Sequence, residues 1–354
     1  MLKHFRHLLR IYKKIFLPFP NLPKKHYICN VNIQSSCIMK KIFVILALFL
    51  AACGGNSNNN AGNGGLKGEV QLSGAFALYP LAIEWAAEFQ KLNPGVKVEV
   101  RAGGAGKGIA DALSQTVDFG MVSRALYKTE IDKGAIGFAV AKDAVVATIN
   151  EDNPAIKDIL AHGISADDAI KIWVTGEAKV WGDILGNGDQ TPINAYTRSD
   201  ACGAAETWAA WFGKKQDDLA GIKIYSDPGV VESVRKDVYG IGINNIGYAY
   251  NSRSHKPERN IKIVPLDGNS DGKISADEYF YDTKGDVTNA IARGKYPSPP
   301  ARDLLLVSKG LPQNEAALEF LKYVLSKEGQ QKSEPAGYIP MPDEKIQKSL
   351  ELLK

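Results

Sequence analysis

The sequence is poor in the side chains most often used for metal and nucleophilic chemistry. Its 354 residues include four cysteines and five histidines. Cys29 and Cys37 lie in a basic N-terminal stretch, Cys53 closes a short apolar run, and only Cys202 remains in the body of the chain. That excludes a disulfide framework and a thiolate metal cluster. Only His162 and His255 follow Cys53, and two isolated imidazoles argue against a zinc hydrolase or a histidine-based triad. The apolar run Ile42–Leu50 is too short to cross a bilayer as a helix, which takes roughly 20 residues.

A basic surplus is also missing where it would matter. Residues 1–53 hold nine Lys/Arg and no Asp/Glu, so the remainder has 43 − 9 = 34 basic against 39 acidic residues. The formal charge of +4 becomes −5, and a nucleic-acid partner is excluded on this ground.

What is present starts at Met39. Met39-Lys40-Lys41, the run Ile42–Leu50 and Ala51-Ala52-Cys53 are the basic, apolar and small-residue parts of a secretory signal. Leu50-Ala51-Ala52-Cys53 resembles the bacterial lipobox, which implies a lipid on Cys53 and anchorage on the periplasmic side of a bacterial membrane. Residues 54–65 are almost all Gly, Asn, Ser and Ala, the composition of a flexible tether. Residues 1–38 show no regular period and precede a complete signal peptide (39–53); they read as a mis-assigned upstream extension.

From Leu66 the chain is long enough for two domains. Strand and helix patterns alternate: Val70–Gly74, a helix at Leu81–Leu92, Val96–Val100, a helix at Ile109–Leu113, Val117–Val122. This βαβαβ rhythm predicts a parallel sheet flanked by helices. Further strands are expected at Val145–Ile149, Ile193–Tyr196, Ile222–Tyr225, Ile246–Tyr250, Ile261–Leu266 and Leu304–Val307. Further helices are expected at Asp167–Trp173, Ala204–Phe212 and Glu315–Ser326.

Three strand ends run into small-residue loops that open helices: Ser73–Leu78, Arg101–Gly108 and Tyr196–Ala204. A helix start has unpaired N–H groups and partial positive charge, so it favours anions. The third loop adds Arg198, the side chain best shaped for an oxyanion, with Asp200 placed either to brace that guanidinium or to cap the helix. Neither glycine-rich loop has the spacing of a nucleotide-binding motif.

These pieces, in order, resemble the phosphate-binding proteins that serve phosphate ABC importers. The resemblance rests on Ser73-Gly74 with Leu78-Tyr79-Pro80-Leu81, Gly103–Ile109, Val117–Arg124, Asn153-Pro154, the Arg198 loop, Gly240-Ile241-Gly242 and Gly337–Pro340. It implies an α/β, two-lobed periplasmic-binding-protein fold, each lobe a mostly parallel sheet with flanking helices, the ligand lying in the interdomain cleft. Lobe I is then 66–143 with 304–354, and lobe II is 144–303. The implied partners are inorganic phosphate or a similar oxyanion and an ABC permease; the implied state is a monomer without enzymatic activity. Carried over, the ligand residues are Ala77, Leu78, Tyr79, Gly104, Ala105, Gly106, Ser123, Arg198, Asp200, Cys202, Gly203 and Ala204, with Arg198 the main charge partner.

Several of these depart from the family pattern. Ala77 and Leu78 stand where a Thr is expected, Ala105 and Cys202 where Ser is usual, Ala204 for Thr, and Ser123 for an Asp that accepts the phosphate proton. Backbone donors survive such changes; hydroxyl donors do not, and Ser73, Ser199, Tyr79 or water are the available replacements. A competing reading is a surface phosphatase or hydrolase using Cys202, whose place at a helix start beside Arg198 favours a lowered thiol pKa. A third is a sensor or adhesion protein of the same fold. Arg302, after the Pro-rich segment 296–300, is not counted among the site residues.

One motif stands apart. Asp267–Glu278 fits a twelve-residue EF-hand loop: Asp267, Asn269 and Asp271 at positions one, three and five, Gly272 at the sharp turn, the Lys273 carbonyl, Ser275, and Glu278 last. It predicts a structural Ca²⁺ site.

Overall fold

The computed structural model describes residues 65–353; Met39–Gly64, which include the signal segment, Cys53 and nearly all of the tether, lie outside the described residues. Among the described residues no helix is long and apolar enough to cross a membrane.

β1 (Lys67–Gly74) leads through α1 (Tyr79–Leu92) to β2 (Gly95–Ala102), then through α2 (Ala105–Leu113) to β3 (Phe119–Val122). β1 pairs in parallel with both β2 and β3, as the βαβαβ rhythm requires. α1 buries Leu81, Trp85, Ala86 and Phe89, the apolar face that the 3.6-residue period places against the sheet. β4 (Ala135–Asn150) follows, then α3 (Ile156–His162), β5 (Asn194–Arg198), α4 (Gly203–Trp211), β6 (Ile222–Ile224), α5 (Asp227–Lys236), β7 (Gly240–Asn245), α6 (Ile246–Ala249) and β8 (Ile261–Val264). The chain ends with α7 (Lys284–Ala292), β9 (Ala301–Lys309), α8 (Glu315–Leu325) and α9 (Asp343–Glu351).

The strands hydrogen-bond in the order β2-β1-β3-β9-β4-β7-β5-β6, with β8 beside β4. The parallel expectation holds towards both ends of this path and fails in its middle. β9 pairs antiparallel with β3 and β4, and β4 pairs antiparallel with β7 and β8. β4 and β9 cross in opposite senses between two cores, so their pairing is antiparallel of necessity. One core draws on Val70–Ala141 and Leu304–Ile346, the other on Ala144–Ala301. The fold is α/β and two-lobed, with β4 and β9 as the connecting strands.

Two sequence expectations need correction. Val145–Ile149 is the second half of a 16-residue strand whose first half, from Ala135, was not anticipated. Ile246–Tyr250 is not a strand: Ile246–Ala249 is a helical turn, and the strand is the preceding Gly240–Asn245, all of it buried. A strand buried on both faces shows no alternation, and the pattern that marks half-buried strands therefore misses it. α5 and α7 were also missed, although both carry N-terminal signals. The Ser226 and Thr283 side chains accept from the Gly229 and Asp286 amides.

Candidate ligand site in the interlobe cleft

Three loops from the carboxyl ends of β1, β2 and β5 meet between the lobes. Gly106 N–H donates to the Ala201 carbonyl at 3.0 Å, joining the second loop to the third. The Phe76 ring lies 5.5 Å from the Arg198 guanidinium, and Tyr248 Oη donates to the Phe76 carbonyl at 3.2 Å. Gly203 packs on Ser123 so closely that a Cβ would come within 2.2 Å of the Ser123 carbonyl oxygen and Oγ. Gly104, at φ +86°, adopts a conformation that L side chains rarely take; a Cβ there would meet Ala201 O and Asp200 Oδ2 at 3.0 Å.

The helix starts at this junction keep their donors open. Neither α1 nor α2 has a side-chain cap. The amides of Phe76, Ala77, Ala105, Gly203 and Ala204 have no acceptor among the described residues. α4 is capped by Cys202, whose sulfur accepts from Ala205 N–H. Unpaired N–H groups at helix starts favour an anion without needing a side chain.

Arg198 is buried and fully braced. Its Nε and Nη2 donate to the two oxygens of Asp200 at 2.8 and 2.6 Å, and Nη1 donates to Asp227 Oδ2 at 2.5 Å. Of the two roles open to Asp200 in the sequence, the brace is the one observed. Burial opposes the guanidinium charge, and Asp227 and Asp200 more than offset that, holding its pKa above the ordinary value. Asp227, whose other oxygen accepts from Asn245 N–H, was not anticipated; it lies 29 positions further on and reaches Arg198 only through the fold.

The remaining predicted residues fall as follows. Ala77 and Leu78 are buried beneath the first loop, and Tyr79 is half-buried. Tyr338 Oη donates to the Ala77 carbonyl, pinning that loop from the C-terminal segment. Ser123 is buried, and its carbonyl accepts from Thr207 Oγ1 at 3.4 Å. Ser73 is not a replacement donor to the cleft, because its hydroxyl donates to Asp111 at 2.6 Å. Arg124, next to Ser123, grips Glu130 with both terminal nitrogens. At the mouth, Tyr127 Oη donates to Glu206 at 2.7 Å, a bond between the lobes.

Cys202 gives the hydrolase reading no support. Cys202 is buried, and burial pushes its thiol up to about 12 despite the opposing pull of Arg198. A thiol in that state is a poor nucleophile at neutral pH.

The Asp267–Glu278 loop lies away from the cleft and docks on α3, where Ile274 N–H donates to the Ala161 carbonyl at 2.8 Å. Gly272 takes φ +73°, as the turn requires. Asp267 accepts from Gly272 N–H at 2.8 Å, Asn269 and Asp271 accept from the amides of Asp271 and Lys273, and Glu278 accepts from Gly268 N–H and the Ser275 hydroxyl. Among the described residues no three acidic, imidazole or thiol groups converge as a ready-made metal cluster. The loop's oxygens are those that suit a hard divalent cation.

Comparison with known proteins agrees with this architecture. The phosphate-binding protein PstS of Staphylococcus epidermidis is 26% identical over 314 residues, covering 87% of this chain and 90% of that one. A Clostridium perfringens protein with bound phosphate superposes with a TM-score of 0.64 at 21% identity, covering 78% of this chain and 100% of its own. An ABC-type phosphate transport receptor from Vibrio cholerae gives 0.57 at 19%, covering 77% and 100%. At such identities the two structures speak for the fold alone. A family model for the PBP superfamily domain matches residues 59–328, and the chain belongs to that superfamily.

Proposed function

We propose that this protein is the extracytoplasmic substrate-binding component of an ABC importer, and that its ligand is phosphate or a related tetrahedral oxyanion. The observations that carry this are the unpaired amides at three helix starts and the loops before them, together with the braced Arg198 in the third of those loops. The relatives' names point the same way. The protein binds its ligand as a monomer, without chemistry, and delivers it to a permease. Isothermal titration with phosphate, sulfate, molybdate and tungstate tests the reading: one-to-one binding of at least one is expected, and no heat from any of them refutes it.

Cys53 carries the lipid in this account, and the tether lets the binder range near its membrane partner. More than one acyl chain is needed for stable anchoring. Cys53→Ser should release the protein from the membrane fraction; unchanged retention would remove Cys53 as the anchor.

The EF-hand-like loop holds Ca²⁺ as a structural ion, through Asp267, Asn269, Asp271, the Lys273 carbonyl, Ser275 and Glu278. Millimolar Ca²⁺ at about 100 times its Kd stabilises by roughly 2.7 kcal/mol, seen as a rise in melting temperature. Glu278→Gln should erase that rise; an equal rise in both proteins would place calcium elsewhere.

A further inference from the structure

Arg198 is braced within its own loop, but the loop is held from outside. Gln216 opens a 3₁₀ turn (Gln216–Asp218) that follows α4, and the Asp218 carboxylate closes that turn by accepting from Lys215 N–H at 2.8 Å. The Gln216 side chain reaches back to the start of α4. Its Oε1 accepts from Cys202 N–H at 3.0 Å, and its Nε2 donates to the Asp200 carbonyl at 2.6 Å. One carboxamide thus engages the main chain on both sides of Ala201, with the acceptor and the donor that this requires.

The engaged segment adjoins the groups that favour an anion. Asp200 grips Arg198 with its side chain while its carbonyl takes Gln216. Cys202 is followed directly by Gly203 and Ala204, whose amides have no acceptor among the described residues. Ala201, between them, meets lobe I. Its carbonyl accepts from Gly106 N–H, and a Cβ on Gly106 would come within 2.7 Å of the Ala201 methyl. Lobe I sets the segment from one side and Gln216 from the other.

The Gln216 backbone extends this arrangement to the mouth of the cleft. Its N–H donates to Glu206 Oε2 at 2.9 Å, and the other oxygen of that carboxylate accepts from Tyr127 Oη of lobe I at 2.7 Å. The Arg124 guanidinium covers the Tyr127 ring, 3.9 Å from its centre. Hydrogen bonds therefore run from Tyr127 through Glu206 and Gln216 to Asp200 and Cys202. Gln216 itself is half-buried, beside the exposed Lys215, Asp217 and Asp218, so the fold does not depend on its burial.

We propose that Gln216 is a positioning residue of the anion site. It holds the third loop in the binding geometry and, through Glu206, ties that loop to the lobe contact at Tyr127. A loop fixed in advance spares the binding step the cost of ordering it. The inference rests on the oxyanion reading of the cleft and adds to it the device that orients the third loop.

Titration of the wild type, Gln216→Met, Tyr127→Phe and the double variant with inorganic phosphate tests it, beside the melting temperatures of the free proteins. Sulfate, molybdate or tungstate replaces phosphate if the wild type binds one of those instead. Met is unbranched like Gln and fills similar space, but it makes neither hydrogen bond. Loss of the two bonds should lower affinity roughly tenfold, with the melting temperature changed by no more than a few degrees. Tyr127→Phe should weaken binding in the wild type and matter less beside Gln216→Met, where Glu206 no longer acts on the loop. The double variant then loses less than the product of the single losses. Unchanged affinity in Gln216→Met reduces the contact to packing and overturns the inference. Failure of that variant to fold, or melting many degrees lower, also overturns it, because the residue then serves the fold. No loss in Tyr127→Phe, or losses that multiply in the double variant, overturns the tie to the lobe contact. A wild type that binds none of the four anions overturns the oxyanion reading as well, whereas binding indifferent to Gln216→Met overturns only the role of Gln216.

Discussion

Arg198→Ala is expected to lower the unfolding free energy by about 3–5 kcal/mol, the range for removing one partner of a buried ion pair. The magnitude follows from what is left behind. Asp227 is wholly buried and Asp200 nearly so, with side-chain exposures of 0% and 8%, so both lose their charge partner where water cannot replace it. The three hydrogen bonds to Asp200 and Asp227 go with it. Anion affinity should fall as well, because the same guanidinium braces the third loop. Urea unfolding measures the first effect, and a loss below about 1 kcal/mol, the range of a surface pair, would contradict it. Arg198→Ala combined with Asp227→Asn should recover part of the loss. The buried excess charge is then smaller, so the double variant should lose less than the sum of the two single losses.

Gly203→Ala should act on closure and not on folding. Gly203 opens α4, where Ala is a better helix former than Gly, and its backbone is not in the left-handed region. Within its own lobe the change is harmless or slightly stabilising. Across the cleft it is not: the new methyl would lie 2.2 Å from the backbone oxygen of Ser123. A backbone atom cannot move aside as a side-chain tip can, and overpacking of this kind costs about 1–3 kcal/mol. Anion affinity should therefore drop by roughly 5- to 150-fold at that cost, with the melting temperature of the free protein unchanged or raised. A melting temperature that falls by many degrees, or an unaltered affinity, would contradict this account of the lobe contact.

Much of the site's framework was legible because it is local. Strand, glycine-rich loop and helix start follow one another within a dozen residues at Ser73–Tyr79, Arg101–Ala105 and Tyr196–Gly203, and each local pattern folds as its residues dictate. Arg198 and Asp200 are two residues apart, so their pairing could be weighed from sequence. What escaped is what topology alone assembles. Asp227 reaches Arg198 because α5 begins beside the end of β5, and nothing in Ser226-Asp227-Pro228 announces more than a helix cap. Arg302 and Asp143 are 159 residues apart in sequence and face each other only because β4 and β9 pair antiparallel, the feature that a parallel βαβ reading does not contain. Ser73 shows the converse: a hydroxyl in the right loop is turned to Asp111 instead of the cleft.

The missing hydroxyls also look different with the site assembled. Each hydrogen bond to a charged group contributes about 1.5–3 kcal/mol, so Ala77, Ala105, Cys202 and Ala204 read singly as losses. The amides of Ala77, Ala105 and Ala204 have no acceptor among the described residues, and a backbone donor does not depend on the side chain beside it.

An oxyanion is expected between the lobes, held by these amides and the braced Arg198 loop. A crystal structure of the protein grown with phosphate tests it most directly. The account predicts a tetrahedral density bounded by the amides of Ala77, Ala105, Gly203 and Ala204 and reached by Arg198. A phosphate-saturated crystal with that position empty, or with the anion bound elsewhere on the molecule, would contradict it.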